Sequence, residues 1–373
     1  MSSISSIGTT SFAASAGMAA REGKRLEGLQ ALRGLAALLV VLLHTAQMAG
    51  LFEGSNLLHV AISRASTMGY FGVDIFFVLS GVVISILLRR NEKQPEAPGA
   101  FLLRRAAKLL PTFWVTVGLM VLLPTAPIAD NSLGQFVAQP LTLILLVRQE
   151  ALPVGWTLVY EAHFYIVAAL ALCFGARAEK AMLGWIVLQM LLVGLAAGGL
   201  LPKLTFFGPL SLELCAGLLI GRMAPRLPLR SPGFVALAVL GWMLAAALTL
   251  PIYGLVEEEW RRLLLCGMPA MLLVYAVLSL DAAGWQPPKV ALWLGEISYS
   301  LYMWHIVVLM ALGSVMMGWL SVTSTPLLYW GMGLALSILV ARAAYQFIEA
   351  PPTRLANRLT RSQPVGAGGR TPH

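Results

Sequence analysis

Residues 29–49 read LQALRGLAALLVVLLHTAQMA, an apolar run of good helix formers with few polar interruptions, Arg33 and His44 among them. A hydrocarbon core about 30 Å thick is crossed by about 20 such residues in α-helical form. A soluble helix of this length would need one charged face, and this one has none. The same reading, carried outward along the chain, predicts further spans at 69–88, 109–128, 155–174, 181–201, 204–221, 232–252, 261–280, 291–312 and 326–348. Composition agrees: of 373 residues 58% are hydrophobic and 12% charged, with a mean hydropathy of +0.79. Ordinary soluble domains carry about 25% charged residues. So little polar surface cannot coat a fold in water, which excludes a soluble enzyme, a disordered chain and a disulfide scaffold. The expected fold is all-α, a polytopic membrane protein with about ten transmembrane helices. The stretch 133–147 is apolar but short and reads as re-entrant or interfacial.

Lys and Arg accumulate in cytoplasmic loops, and an inside N-terminus places most of them there. They cluster at Arg21, Lys24 and Arg25, across 89–108, at Arg177 and Lys180, at Arg222, Arg226 and Arg230, and at Arg354, Arg358 and Arg361. Arg64, Arg148, Lys203, Arg261 and Arg262 fall in or beside outer loops. Both termini are therefore expected in the cytoplasm. The net charge of +9 is absorbed by this topology, so membrane lipid is an expected partner and nucleic acid is not. Residues 1–27 are Ser/Ala-rich with no charge before Arg21, unlike a secretory signal with its leading basic region. They read as a disordered leader, 28–352 as one transmembrane domain and 353–373 as a basic tail. Cys173, Cys215 and Cys266 lie in apolar runs and read as small buried hydrophobes. No internal repeat is evident, which argues against many transporter folds.

An ionisable residue at membrane depth is costly unless paired or solvated, and so is a functional candidate. His44, Asp74, Glu161 and His305 fall between the midplane and the outer third. Arg33, Arg342 and Glu349 lie towards the inner side. Arg33 and His44 are eleven residues apart, nearly three full turns, so they share a helix face about 16 Å apart along the axis. Ser298, Tyr302 and His305 share a second face at i, i+4 and i+7. Arg342 and Glu349 share a third and read as an ion pair.

These residues sit in segments that resemble the acyltransferase-3 membrane acyltransferases. LQALRGLAALLVVLLH (29–44) is similar to that family's Arg-x10-His helix, and GYFGVDIFFVLSG (69–81) to its second-span motif. FLLRRAAKLLP (101–111) resembles the Phe-x-x-Arg-Arg…Pro loop, with Lys108 where Arg is more usual. GWTLVYEAHFY (155–165) resembles Trp-Ser-Leu-x-x-Glu-x-x-Phe-Tyr, with Thr157 for Ser. ISYSLYMWH (297–305) and FIEAP (347–351) resemble the two C-terminal signatures. The resemblance covers about 29–351. It implies a bacterial inner-membrane (cytoplasmic-membrane), multi-pass enzyme that moves an acyl group, commonly acetyl, from cytoplasmic acyl-CoA to an acceptor hydroxyl. That hydroxyl would belong to a surface or secreted glycan or a lipid-linked precursor. It also implies acyl-CoA as co-substrate with no permanently bound cofactor, and polysaccharide-assembly proteins as possible partners. Some relatives carry a fused SGNH-type domain; this chain is expected to need a separate protein for any second transfer.

Acyl transfer to a hydroxyl needs a base, stabilisation of the oxyanion and a held donor. Neutral imidazole suits the first role, which makes His44 the candidate base or transient acyl carrier. Asp74 or Glu161 would orient its other nitrogen, as the carboxylate does in a Ser-His-Asp arrangement. Arginine grips phosphate bidentately, so Arg33, Arg104, Arg105 and Lys108 are the donor-binding candidates. Tyr165, Ser298, Tyr302 and His305 are the candidates for holding the acceptor, and Glu161 shares that possibility. No metal-ligand spacing, Walker loop, dinucleotide fingerprint or serine elbow is present. Two competing readings stand beside the enzyme: a glycan or lipid-precursor transporter relaying protons through its buried acids, and a non-catalytic membrane subunit.

Overall fold

A computed structural model of the chain describes residues 26–54, 56–92, 95–122, 153–201, 208–249, 259–319 and 325–361. The leader before Leu26, the segment 133–147, Arg148, Lys203 and the tail beyond Arg361 lie outside the described residues. Within them every regular element is helical. In order these are α1 (Glu27–Met48), α2 (Leu57–Ser66), α3 (Gly69–Asn91), α4 (Pro98–Leu122), α5 (Trp156–Leu172), α6 (Ala178–Ala197), α7 (Ser211–Met223) and α8 (Pro232–Thr249). Then come α9 (Glu259–Ala282), α10 (Lys289–Glu296), α11 (Ser298–Trp319) and α12 (Pro326–Thr360).

Seven helices among the described residues are long and apolar enough to cross a membrane, and α5 is a shorter apolar one. The chain is an all-α polytopic membrane protein. A helix covers most of the described part of each expected span, with one correction. The span expected at 291–312 is two helices, α10 and α11, meeting at Ile297. There the Ser298 hydroxyl donates to the Gly295 carbonyl at 2.8 Å, a local side-chain bond of the kind that competes with the helix ladder. The basic tail begins as helix: α12 runs on past the expected end of its span, and Thr360 accepts a hydrogen bond from Arg104 Nη1 of α4 at 2.8 Å.

α1 is the central helix, in contact with α3, α9, α10, α11 and α12. Its N-terminal end is closed by a distant residue: the Gly28 amide donates to the carboxylate of Asp281 in α9 at 2.8 Å. That satisfies one of the amides a helix N-terminus leaves without an internal partner.

Two glycine contacts set the spacing, since small residues let membrane helices approach backbone to backbone. A Cβ on Gly295 would lie 2.0 Å from the Gln30 carbonyl oxygen, and one on Gly34 2.6 Å from the Gly295 amide. The Gln30 side chain also donates to the Leu292 carbonyl at 2.9 Å, locking α1 to α10. The second contact joins α3 to α7. A Cβ on Gly81 would be 2.1 Å from the Leu214 oxygen, and one on Gly217 2.0 Å from the Val78 oxygen.

Two π-helical turns interrupt the ladder, Leu263–Gly267 in α9 and Tyr345–Glu349 in α12. The second overturns one pairing read from the sequence. A π turn holds an extra residue and rotates the remainder of the helix by about 100°, so Arg342 and Glu349 no longer share a face. Arg342 pairs with Glu296 at 3.4 Å, which also accepts from the Tyr345 hydroxyl at 3.0 Å. Glu349 turns inward, is buried, and accepts from the Ser300 hydroxyl at 2.6 Å.

Candidate active site

A cavity of about 110 Å³ opens between α1, α3, α4, α5 and α11. Arg33 enters it from α1, Arg105 and Lys108 from α4, Glu161 and Tyr165 from α5, and Tyr299 and Tyr302 from α11. Three cations and one carboxylate thus face a space otherwise walled by Val73, Phe76, Phe77, Leu79 and Leu158. Helical spacing explains the pairs. Arg105 and Lys108 are three residues apart on α4, and Glu161 and Tyr165 four apart on α5, so each pair shares a face. The Tyr165 hydroxyl donates to Glu161, which also accepts from the Ser80 hydroxyl at 3.4 Å. The Arg105 guanidinium lies 4.9 Å from the Tyr165 ring centroid and 5.4 Å from that of Phe101. Two aromatic faces hold this cation in place.

Beyond the cavity stands a histidine pair. Nδ1 of His44 (α1) is 2.9 Å from Nε2 of His305 (α11). The rings are stacked with centroids 5.1 Å apart. The glycine contact of α1 with α10 accounts for the meeting: His44 lies ten residues past Gly34, and His305 ten past Gly295. His305 is fully buried and His44 half-buried. Tyr302 connects the pair to the cavity it lines. Its ring centroid is 6.1 Å from that of His305 and 5.6 Å from that of Phe76. Its hydroxyl donates to the Val154 carbonyl at 3.2 Å and meets the Thr157 hydroxyl at 3.1 Å.

The structure corrects several placements expected from sequence. Asp74 does not reach His44; its carboxylate is taken by Arg262 Nη2 at 2.9 Å and Nε at 3.2 Å. Both side chains are buried, and the guanidinium stands 5.4 Å from the Trp156 ring centroid. Glu161 is held by Tyr165 and Ser80, so the ring partner of His44 is an imidazole where a carboxylate was expected. Arg104 turns from the cavity to an ion pair with Glu96 and its bond with Thr360. Ser298 is buried and spends its hydroxyl on Gly295. Cys215 and Cys266 are buried as expected, but Cys173 is exposed. Trp156 packs edge-on against Phe77 and Tyr160.

Arg262 is the residue that sequence reasoning missed. Its place at the lip of the span 261–280 made it look like an outer-loop charge. The available signal was balance, because Asp74 at outer depth had no cation assigned to it. Glu213 lies beside the same pair, fully buried, in the room that Gly267 leaves at the π turn of α9.

A family profile described as "Acyltransferase domain" matches residues 26–345, the segment that supplies every residue lining the cavity and both histidines. The chain belongs to the acyltransferase-3 family. It is 30% identical over 319 residues to the exopolysaccharide production protein ExoZ of Rhizobium meliloti (strain 1021), covering 82% of this chain and 95% of that one. It is 28% identical over 388 residues to the acyltransferase MdmB of Streptomyces mycarofaciens, covering 90% and 93% respectively. No solved structure gives a significant match. This acyltransferase-3 chain is therefore an enzyme, an acyltransferase built into a membrane.

Proposed function

We propose that this acyltransferase moves an acyl group, acetyl in the first instance, from cytoplasmic acyl-CoA to a hydroxyl of a cell-surface or secreted polysaccharide or its lipid-linked precursor. Its setting would be the bacterial inner membrane, with both termini in the cytoplasm. The observation that carries the reading is the cavity, in which Arg33, Arg105 and Lys108 converge on one space within a helical membrane body. Three cations against one carboxylate leave the cavity lining with an excess of positive charge, which suits a phosphate-bearing ligand. Pockets that enclose a whole small-molecule ligand measure about 300–1,000 Å³. At about 110 Å³ this one suits only part of a donor, a phosphate or the thin thioester arm. The match to a protein described as taking part in exopolysaccharide production favours a glycan acceptor.

In this reading the donor enters from the inner side and the acceptor hydroxyl meets it near His44. The imidazole takes the hydroxyl proton as the oxygen attacks the thioester carbonyl. The C–S bond then breaks and the leaving thiolate receives that proton, giving an O-acyl ester and free CoA thiol. Tyr302 stands between the cavity and the histidines, on the path from donor to base. Glu161 and Tyr165 line the donor end, so an acceptor role for Tyr165 is less favoured by its position than one in shaping the cavity.

The test is transfer of label from radiolabelled acetyl-CoA to a crude glycan acceptor in membranes holding equal amounts of each variant. His44→Ala should lower transfer by about 10²-fold or more. Full transfer by that variant would overturn the assignment. Arg33→Ala should weaken acyl-CoA binding, and unchanged affinity and turnover would remove Arg33 from the donor site.

A further inference from the structure

The two histidines are not equivalent, because only one has a second partner within its own helix. Nδ1 of His305 lies 3.2 Å from the Leu301 carbonyl oxygen. A carbonyl can only accept, so that nitrogen carries the hydrogen. In a neutral imidazole the other nitrogen is then an acceptor. Nε2 of His305 therefore accepts from His44, whose Nδ1 must be the N–H donor across the 2.9 Å contact. His44 is left with its lone pair on Nε2.

We propose that His305 is a positioning residue that fixes the tautomer and ring orientation of His44, so that Nε2 of His44 is the atom that takes the acceptor's proton. This rests on the reading of His44 as the base. The arrangement has the logic of a base oriented by a third group, with a neutral imidazole tied to a backbone carbonyl in place of a carboxylate. When His44 takes up a proton on Nε2, its Nδ1–H continues to donate to His305, and the positive charge stays on the half-buried ring. Passing the Nδ1 proton on to His305 would put the charge on a ring with no solvent exposure, which burial strongly disfavours. The charge is thereby confined to His44, the less buried residue of the pair.

Two kinds of measurement decide this. The first is ¹⁵N NMR of histidine-labelled protein in lipid, with the His44 signals assigned by their loss in His44→Ala. The expected result is a protonated Nδ1 and a bare Nε2 on His44, with the preference lost in His305→Leu. A protonated Nε2 on His44 in the unaltered protein would overturn the proposal, and it would do so even if His305→Leu failed to fold. The second is turnover. His305→Leu should lower kcat by about 10²-fold with donor KM within twofold, since a misoriented base damages the chemical step. His305→Gln keeps an acceptor oxygen near the position of Nε2 and should recover at least tenfold of that loss. Equal kcat for the Leu and Gln variants would refute a positioning role. Should His44→Ala retain full transfer while the NMR result stands, the base assignment fails and the tautomer assignment survives.

Discussion

Arg262 and Asp74 form a buried ion pair whose loss should be asymmetric. Removing one partner of such a pair leaves an uncompensated charge in an apolar setting and costs about 3–5 kcal/mol, whereas removing both is far milder. Arg262→Gln should therefore lower the thermal unfolding temperature of the lipid-reconstituted protein well below that of Asp74→Asn/Arg262→Gln. A double variant no more stable than the single one would show that the pair is not the relevant unit. The arginines of α4 make a second contrast. Arg105 lines the cavity, while Arg104 is held by Glu96 and Thr360. Arg105→Ala should weaken acyl-CoA binding about tenfold, equivalent to about 1.4 kcal/mol, while Arg104→Ala should leave it within twofold. Equilibrium binding of labelled acyl-CoA reads both. At this scale Arg33, His44 and Glu161 were legible, since a charge at membrane depth stands out in a chain with so few, and Arg105 through the loop motif that carries it. Their partners were not, because Arg262 and His305 meet Asp74 and His44 from 188 and 261 residues away.

Between elements, the contact of α1 with α10 positions the histidines. A Cβ on Gly295 has no room against the Gln30 carbonyl, so Gly295→Val should push α10 from α1 and carry His305 off His44. Label transfer at matched protein level should fall more than tenfold. Gly184→Val in α6 meets nothing within 4 Å and serves as the control; comparable losses in both would mean that transfer does not depend on this spacing. Gly34, Gly72 and Gly81 each lie against a neighbouring helix. The bend beside Gly295 was hidden in the sequence, because it falls in what reads as an uninterrupted span. The π turn of α12 was equally hidden. Sequence spacing assumes 3.6 residues per turn throughout, and one extra residue in a turn was enough to send Arg342 to Glu296 and Glu349 to Ser300.

Over the whole molecule, charge sorting predicts that the ends of the chain share one side of the membrane. Fusions after residues 25 and 361 should report the cytoplasm, with a fluorescent protein active and alkaline phosphatase inactive. A fusion within the outer loop after Met48 should give the opposite. Opposite signals from the two ends would overturn the topology. What the sequence determined unaided was the solvent and the family. An apolar span of about 20 residues is a local property, and so is the order of short motifs carrying Arg33, His44, Asp74 and Glu161. What only the tertiary structure decided was which of those residues face one another. That depends on helix register, on the room left by glycines and on the phase slip at π turns, all of which are relations between segments. A carboxylate expected beside His44 therefore lies with Arg262, and an imidazole stands in its place.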